Sequence, residues 1–155
     1  FASNTNKAQL KKEIHNLKEI ANQKIEISRQ HYLMLFFPET YQNLLENGIK
    51  QDYTLGYAEK IGFRAGICSP FNFFDLTKNI ETDLKIFPFQ VMDVSLKKYL
   101  KFSSEESIQK ITELIEKVKR VNGTFISLWH NESLNDIGEW NGWRKVYTKM
   151  LEACQ

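Results

Sequence analysis

Three residues suited to proton handling each follow a short apolar segment. They are His130, Asp93 and Arg29. In a parallel α/β sheet the carboxyl ends of the strands carry the site, so we expect these side chains to converge at one edge. A histidine can give or take a proton near neutral pH, a carboxylate can fix its tautomer, and an arginine can clamp a carboxylate bidentately. The alternative for His130 is that it only caps a core strand.

Further polar and aromatic residues near the ends of these segments are candidates for contact with a substrate. For Arg64, which lies between glycines, an ordinary salt bridge is favoured over a ligand clamp, because arginine is seldom buried unpaired. The predicted substrate-binding residues are His31, Tyr32, Asp52, Arg64, Trp129 and Glu132.

The histidines give little support for a metal site within this chain. Besides His31 and His130 there is only His15, which falls on the polar side of a predicted helix. A site made from the first two with Asp52 or Asp93 lacks the spacing of recognised zinc sites, which need about three protein ligands. We therefore predict no metal ligand in this chain.

Composition narrows the class of protein. A chain of 155 residues with 42% hydrophobic residues fits one folded domain over 1–155. The net charge of +2 has no basic cluster, which argues against a nucleic-acid partner, and no apolar run approaches the roughly 18 residues of a membrane span. Cys68 and Cys154 have no C-x-x-C spacing, so we expect small buried thiols, with the compartment left open and the cytoplasm as the working expectation.

Hydrophobic periodicity and capping signals predict an alternation of helices and strands, and hence an α/β fold with a parallel sheet. A capping box joins Ser103 to Glu106, and Asp136 with Glu139 is expected to start the last helix. The predicted helices cover 7–21, 38–47 with Gly48 just past the end, 104–121 and the stretch after 136. The predicted strands cover 24–28, 61–66, 84–93 and 124–129, with 70–75 a loop or an edge strand.

Four or five strands are too few to close a barrel of the eight-stranded type, so two apolar edges would be left open. We expect an upstream segment or a second chain, as in a homo-oligomer, to cover them. The chain begins at Phe1 without an initiator methionine, which suggests part of a longer translation product.

Three motifs in this order resemble the polysaccharide deacetylase family, which includes chitin and peptidoglycan deacetylases. The stretch Ser28-Arg29-Gln30-His31-Tyr32 is similar to the family's third motif, although His31 stands where the family has proline. Met92-Asp93 is similar to the fourth motif, and Leu128-Trp129-His130 to the fifth. Asp52-Tyr53-Thr54-Leu55 and Phe63-Arg64-Ala65-Gly66 look similar to a divergent bacterial branch.

The resemblance implies a fold, an activity and roles for three residues. The chain would be the C-terminal portion of a distorted, seven-stranded (β/α) barrel that removes acetyl groups from an N-acetylated glycan. His130 would protonate the departing amine, Asp93 would hold and tune that histidine, and Arg29 would orient the aspartate that acts as base.

The first two family motifs, which supply that aspartate and the metal ligands, have no counterpart here and would lie upstream of Phe1. Zinc or another divalent metal is therefore expected for the whole domain, and the fragment alone is expected to be inactive. Two alternatives stay open, namely a non-catalytic carbohydrate-binding barrel and a related hydrolase that acts on a cyclic amide.

Overall fold

Residues 6–155 are described by the computed structural model, and they fall into two units. The first unit contains residues up to 55 together with 70–87, and the second contains 56–69 together with 88–155. Each unit mixes helices with strands, so the predicted α/β class is confirmed at that level. That residues 1–155 form one domain stays a prediction, and Phe1 lies outside the described residues.

The first unit holds a four-stranded mixed sheet in the order β1-β2-β4-β3. Strands β1, β2 and β4 are parallel, and Ser28 pairs with Asp52, which in turn pairs with Ile86. The carboxyl ends of three strands therefore lie side by side. The elements are α1 (Lys7–Ala21), β1 (Ile27–Ser28), α2 (Glu39–Glu46), β2 (Gln51–Asp52), β3 (Phe71–Asp75) and β4 (Ile80–Ile86).

The expectation of a wholly parallel sheet is wrong at β3, which pairs antiparallel with β4 as an edge strand. A short turn joins them, and the buried Asp75 accepts hydrogen bonds there from the amide and hydroxyl of Thr77, at 3.0 and 2.6 Å. Bonds from Thr77 and from Gln42 lower the pKa of Asp75 to about 2. The turn is too short for the crossover that a parallel connection needs.

The second unit holds a two-stranded parallel sheet, in which Val91 pairs with Ser127 and Met92 with Leu128. Its elements are β5 (Val91–Met92), a π-helix (Ser95–Tyr99), α3 (Ser104–Arg120), β6 (Ser127–Leu128), α4 (Asn131–Leu134), a 3-10 turn (Gly138–Trp140) and α5 (Trp143–Cys154).

Helix α3 forms the crossover between β5 and β6. Both bonds of the predicted capping box are present, from the Glu106 amide to the Ser103 hydroxyl and from the Ser103 amide to the Glu106 carboxylate. One face of α3 is apolar and packs against α5. Both helices contribute to a buried core that also includes a residue of β5. That core contains Val91, Leu96, Ile111, Leu114, Ile115, Trp140, Trp143, Val146 and Met150.

A buried glutamine extends the pairing of β5 with the segment before β6. The Gln90 amide donates to the Ile126 carbonyl at 2.9 Å, and the Ile126 amide donates to Oε1 of Gln90 at 2.7 Å. The glutamine Nε2 donates to the Pro88 carbonyl at 2.8 Å. The Gln90 side chain thus adds one hydrogen bond between the two segments beyond the paired residues of β5 and β6.

Three predicted elements are wrong. The strand predicted over 84–93 is divided into β4, which ends at Ile86, and β5, which begins at Val91 and belongs to the other sheet. Residues 61–66 form a loop because Gly62 and Gly66 have φ of 118° and 73°, which a strand does not accommodate. The last helix begins at Trp143, since Asp136 has a φ of 61° and its carboxylate instead accepts from the Arg144 amide at 3.2 Å.

Within residues 6–155 the strands do not close a barrel. None of the helices in this part of the chain combines the length and apolar composition needed to cross a bilayer.

Candidate functional site

Asp93 and His130 come together at the carboxyl end of the β5 and β6 pair. Asp93 directly follows β5, and His130 comes two residues after the end of β6, so the parallel register brings the two to one edge. Nδ1 of His130 lies 2.8 Å from Oδ1 of Asp93. The carboxylate is fully buried, whereas the histidine side chain is 45% exposed. The arrangement is a carboxylate-held imidazole that is partly exposed to solvent.

Four donors surround the Asp93 carboxylate. Oδ1 accepts from the Val94 amide at 2.7 Å and faces the His130 ring, while Oδ2 accepts from the His130 amide at 2.7 Å and from the Ser133 hydroxyl at 2.5 Å. A carboxylate has about four lone-pair sites, so its acceptor capacity is filled. Asp93 is therefore suited to holding the histidine and not to binding a further ligand.

This environment fixes the tautomer of His130. An ionised carboxylate only accepts hydrogen bonds, so Nδ1 must carry the proton in the neutral ring. The lone pair then lies on Nε2. A ring in this state can take up a proton at Nε2 and deliver it to a group that approaches from solvent.

A second polar cluster lies in the first unit, where β1 and β2 end. The buried Asp52 accepts from the amide and hydroxyl of Thr54, at 2.9 and 2.7 Å, and Thr54 Oγ1 in turn accepts from the Gln30 amide at 2.9 Å. Burial raises the pKa of Asp52 to about 6, against the opposing effects of Thr54, Ser28 and Arg29. The role that this burial favours for Asp52 is to hold the end of β1, and its predicted contact with substrate stays a prediction.

Arg29 is exposed and follows β1 directly. Its Nε donates to the Tyr53 carbonyl at 3.3 Å, and partial burial lowers its pKa while Asp52 and Tyr53 oppose that shift. Arg29 belongs to the first unit and the pair of Asp93 with His130 to the second. The convergence of all three stays a prediction.

The predicted binding residues His31 and Tyr32 are exposed in a 3-10 turn after Arg29. Tyr32 and the next residue, Leu33, have φ of 56° and 54°, an unfavourable left-handed conformation for such side chains. Leu33 is buried, which anchors the turn, while the Tyr32 side chain is 63% exposed. The turn exposes the rings of His31 and Tyr32, whose centroids lie 4.3 Å apart, shortly after Arg29 in the sequence.

The other three predicted binding residues have different surroundings. Arg64 is half-buried and donates from Nη1 to the Gly56 carbonyl at 2.9 Å. Trp129 is half-buried and packs edge-to-face on Tyr147, with ring centroids 5.1 Å apart. Glu132 is exposed on α4. Packing and backbone contacts account for the first two, so their substrate contacts stay predictions.

Ser133 is the residue at this site that sequence reasoning missed. It is fully buried and donates to Asp93 from α4. The only sequence signal for Ser133 is that it comes three residues after His130. That spacing makes the two residues neighbours, about one turn apart, if a helix starts at His130. A start at His130 was not recognised, because the helix was expected after Asp136.

Among residues 6–155, no group of three or more histidine, cysteine, aspartate or glutamate side chains is arranged to hold a metal ion. No protein-family profile, curated protein or solved structure matches this chain.

Proposed function

We propose that this chain supplies the general-acid part of a polysaccharide-deacetylase-like enzyme that removes acetyl groups from an N-acetylated glycan. We further propose that it is the C-terminal portion of a distorted barrel, with its remaining strands outside these residues. The observation that carries the proposal is the hydrogen bond between the buried Asp93 carboxylate and Nδ1 of a solvent-facing His130.

In the proposed reaction, water adds to the acetamido carbonyl carbon and the carbon–nitrogen bond then breaks. The departing amine takes a proton from Nε2 of the His130 imidazolium, and acetate is the second product. Asp93 stabilises the charged ring and holds it by Nδ1, so that Nε2 faces the leaving nitrogen. The base that takes the proton of water is proposed to lie outside this chain.

The divalent metal implied by the family resemblance is a separate question. Residues 6–155 contain no fitting ligand set, and Asp93 has no free lone pair to offer one. The proposed reaction therefore uses no metal held by these residues. Zinc ligands from upstream motifs stay part of the proposal for the whole domain.

Arg29 is proposed to orient the catalytic carboxylate from outside the chain. Its Nε is held by the Tyr53 carbonyl, and Asp52 lies close enough to interact with its charge. A fixed guanidinium presents its remaining N–H groups as a fork that matches a carboxylate. His31 and Tyr32 are proposed to contact sugar rings from the adjoining turn.

The test is acetate release from a chitin oligosaccharide by the longest natural protein that contains this chain, with added Zn²⁺. We expect His130→Gln to lower kcat by about 10²- to 10⁴-fold, the usual contribution of general acid catalysis. His15→Gln is the matched control, because His15 is exposed on α1 and has no proposed role.

If His130→Gln releases acetate as fast as the native protein, then His130 is not the general acid. Tight glycan binding without acetate release, unchanged in His130→Gln, would instead favour the carbohydrate-binding alternative. Turnover of a cyclic amide but not of the oligosaccharide would favour the other alternative, a related hydrolase that acts on a cyclic amide.

A further inference from the structure

A buried serine completes the set of donors around Asp93. The Ser133 oxygen lies 2.5 Å from Oδ2 of Asp93 and 2.7 Å from the His130 carbonyl oxygen. A hydroxyl has one proton, so it donates to only one of these acceptors at a time. The carboxylate is nearer and charged, and charge-assisted hydrogen bonds are the stronger ones, so the proton goes to Asp93.

We propose that Ser133 is a positioning residue for the Asp93–His130 pair, because it locks the carboxylate in the orientation that keeps the imidazole proton on Nδ1. Oδ2 is held by two donors, the His130 amide and the Ser133 hydroxyl. Without the hydroxyl, one donor is left on that oxygen, and the carboxylate can turn away from the ring. The tautomer with its proton on Nε2 then becomes more populated.

A purely structural role is the competing explanation. The Ser133 amide donates to the His130 carbonyl at 3.1 Å and so starts α4. That bond is made by the backbone and is kept when the side chain is changed. A structural serine would therefore alter stability and leave the tautomer of His130 unchanged.

The tautomer gives a readout that needs no substrate. Long-range ¹H–¹⁵N spectra of the ¹⁵N-labelled chain, recorded where the ring is neutral, report the ratio of Nδ1–H to Nε2–H, and His130→Gln identifies the signal. We expect Ser133→Ala to lower this ratio roughly fivefold, the effect of losing one net hydrogen bond. Ser133→Thr retains the hydroxyl and is expected to restore the ratio.

Ser107→Ala is the matched control, because Ser107 is also a buried serine of this unit but its Oγ has no hydrogen-bond partner within residues 6–155. An unchanged ratio in folded Ser133→Ala overturns the proposal. Should that variant not fold, Ser133→Cys replaces it. A thiol is a weak donor, so we expect a fall of about twofold or more, and a ratio equal to that of the native chain again overturns the proposal.

The catalytic meaning of this lock rests on the proposed function, but the two can fail separately. The spectra test the serine without any reaction, and acetate release tests the histidine without reference to its tautomer.

Discussion

Replacing Asp93 by asparagine should destabilise the fold much more than removing the histidine that it holds. The carboxylate accepts four hydrogen bonds in a fully buried position. Two of the donors are backbone amides, of Val94 and His130, and an amide N–H cannot become an acceptor. An asparagine has one acceptor oxygen, so its NH₂ group must face one of these amides.

Both orientations of the asparagine side chain leave one backbone amide unpaired. With Nδ2 in the place of Oδ2, Ser133 can accept and pass its own proton to the His130 carbonyl at 2.7 Å, but the His130 amide loses its acceptor. With Nδ2 in the place of Oδ1, the ring of His130 can accept in its other tautomer, but the Val94 amide loses its acceptor.

The expected cost follows from these losses. A buried donor without a partner costs about 1–3 kcal/mol, and the other bonds each lose about 1 kcal/mol when their acceptor becomes neutral. Asp93→Asn should therefore lower the free energy of unfolding by about 3–5 kcal/mol. His130→Ala removes a side chain that is 45% exposed and leaves Asp93 three donors, so about 1 kcal/mol is expected.

Urea unfolding followed by circular dichroism at neutral pH measures both changes, with His15→Ala as a control on an exposed helical histidine. A cost for His130→Ala that equals or exceeds the cost for Asp93→Asn would refute this reasoning, because the carboxylate would then not be the anchor of the site.

Three further predictions concern packing and buried charge. Gly56→Ala would place a Cβ 2.1 Å from the ring of the buried Phe89, so a loss of about 3 kcal/mol or more is expected in urea unfolding, and a loss below about 1 kcal/mol would contradict the overpacking argument. Gly123→Ala would place a Cβ 2.3 Å from Sγ of Cys68 but 3.4 Å from its Cβ, so adding Cys68→Ala should recover about 1–2 kcal/mol in a double-mutant cycle, whereas additive costs would show no clash. The raised pKa of Asp52, about 6 against 3.8, means that ionisation costs the folded state stability as pH rises through this window. Relative to Asp52→Asn, the free energy of unfolding of the native chain should fall by about 2 kcal/mol between pH 4 and pH 7, and parallel pH profiles of the two proteins would contradict this prediction.

The meeting of Asp93 and His130 was predictable because it depends on two features that sequence patterns carry well. Both residues follow short apolar segments, and α3, with its capping box at Ser103, lies between those segments. A helix that connects two adjacent strands makes them parallel, which puts the residues after each strand at the same edge. Long-range proximity followed here from local signals.

The loop over 61–66 was not predictable in this way. Its apolar residues resemble a strand, and the deciding feature is the positive φ of Gly62, whose amide donates to the Gln90 carbonyl at 2.7 Å. Glycine permits this conformation but does not require it, so the tertiary contact decides. The same holds for Asp136, whose carboxylate caps the amide of Arg144 across eight residues instead of starting a helix in place.

The polar groups around the site were the hardest to predict. Asp52 appeared as one of several acids near a strand end, and its hydrogen bonds from the amide and hydroxyl of Thr54 carry no signal in the sequence pattern. Ser133 has no sequence signature beyond its spacing from His130. Hydrogen-bond partners across about 40 residues depend on side-chain geometry, which hydrophobic periodicity does not encode.

Separation of β6 from β5 would break two bonds between side chains and backbone amides at once. The Ile126 amide donates to Gln90, 36 residues earlier, and the His130 amide donates to Asp93, 37 residues earlier. Neither N–H can exchange with deuterated solvent until its acceptor withdraws, so the two should exchange at a common rate if this edge opens as a unit. That rate would measure how often the imidazole and its carboxylate come apart in the native protein.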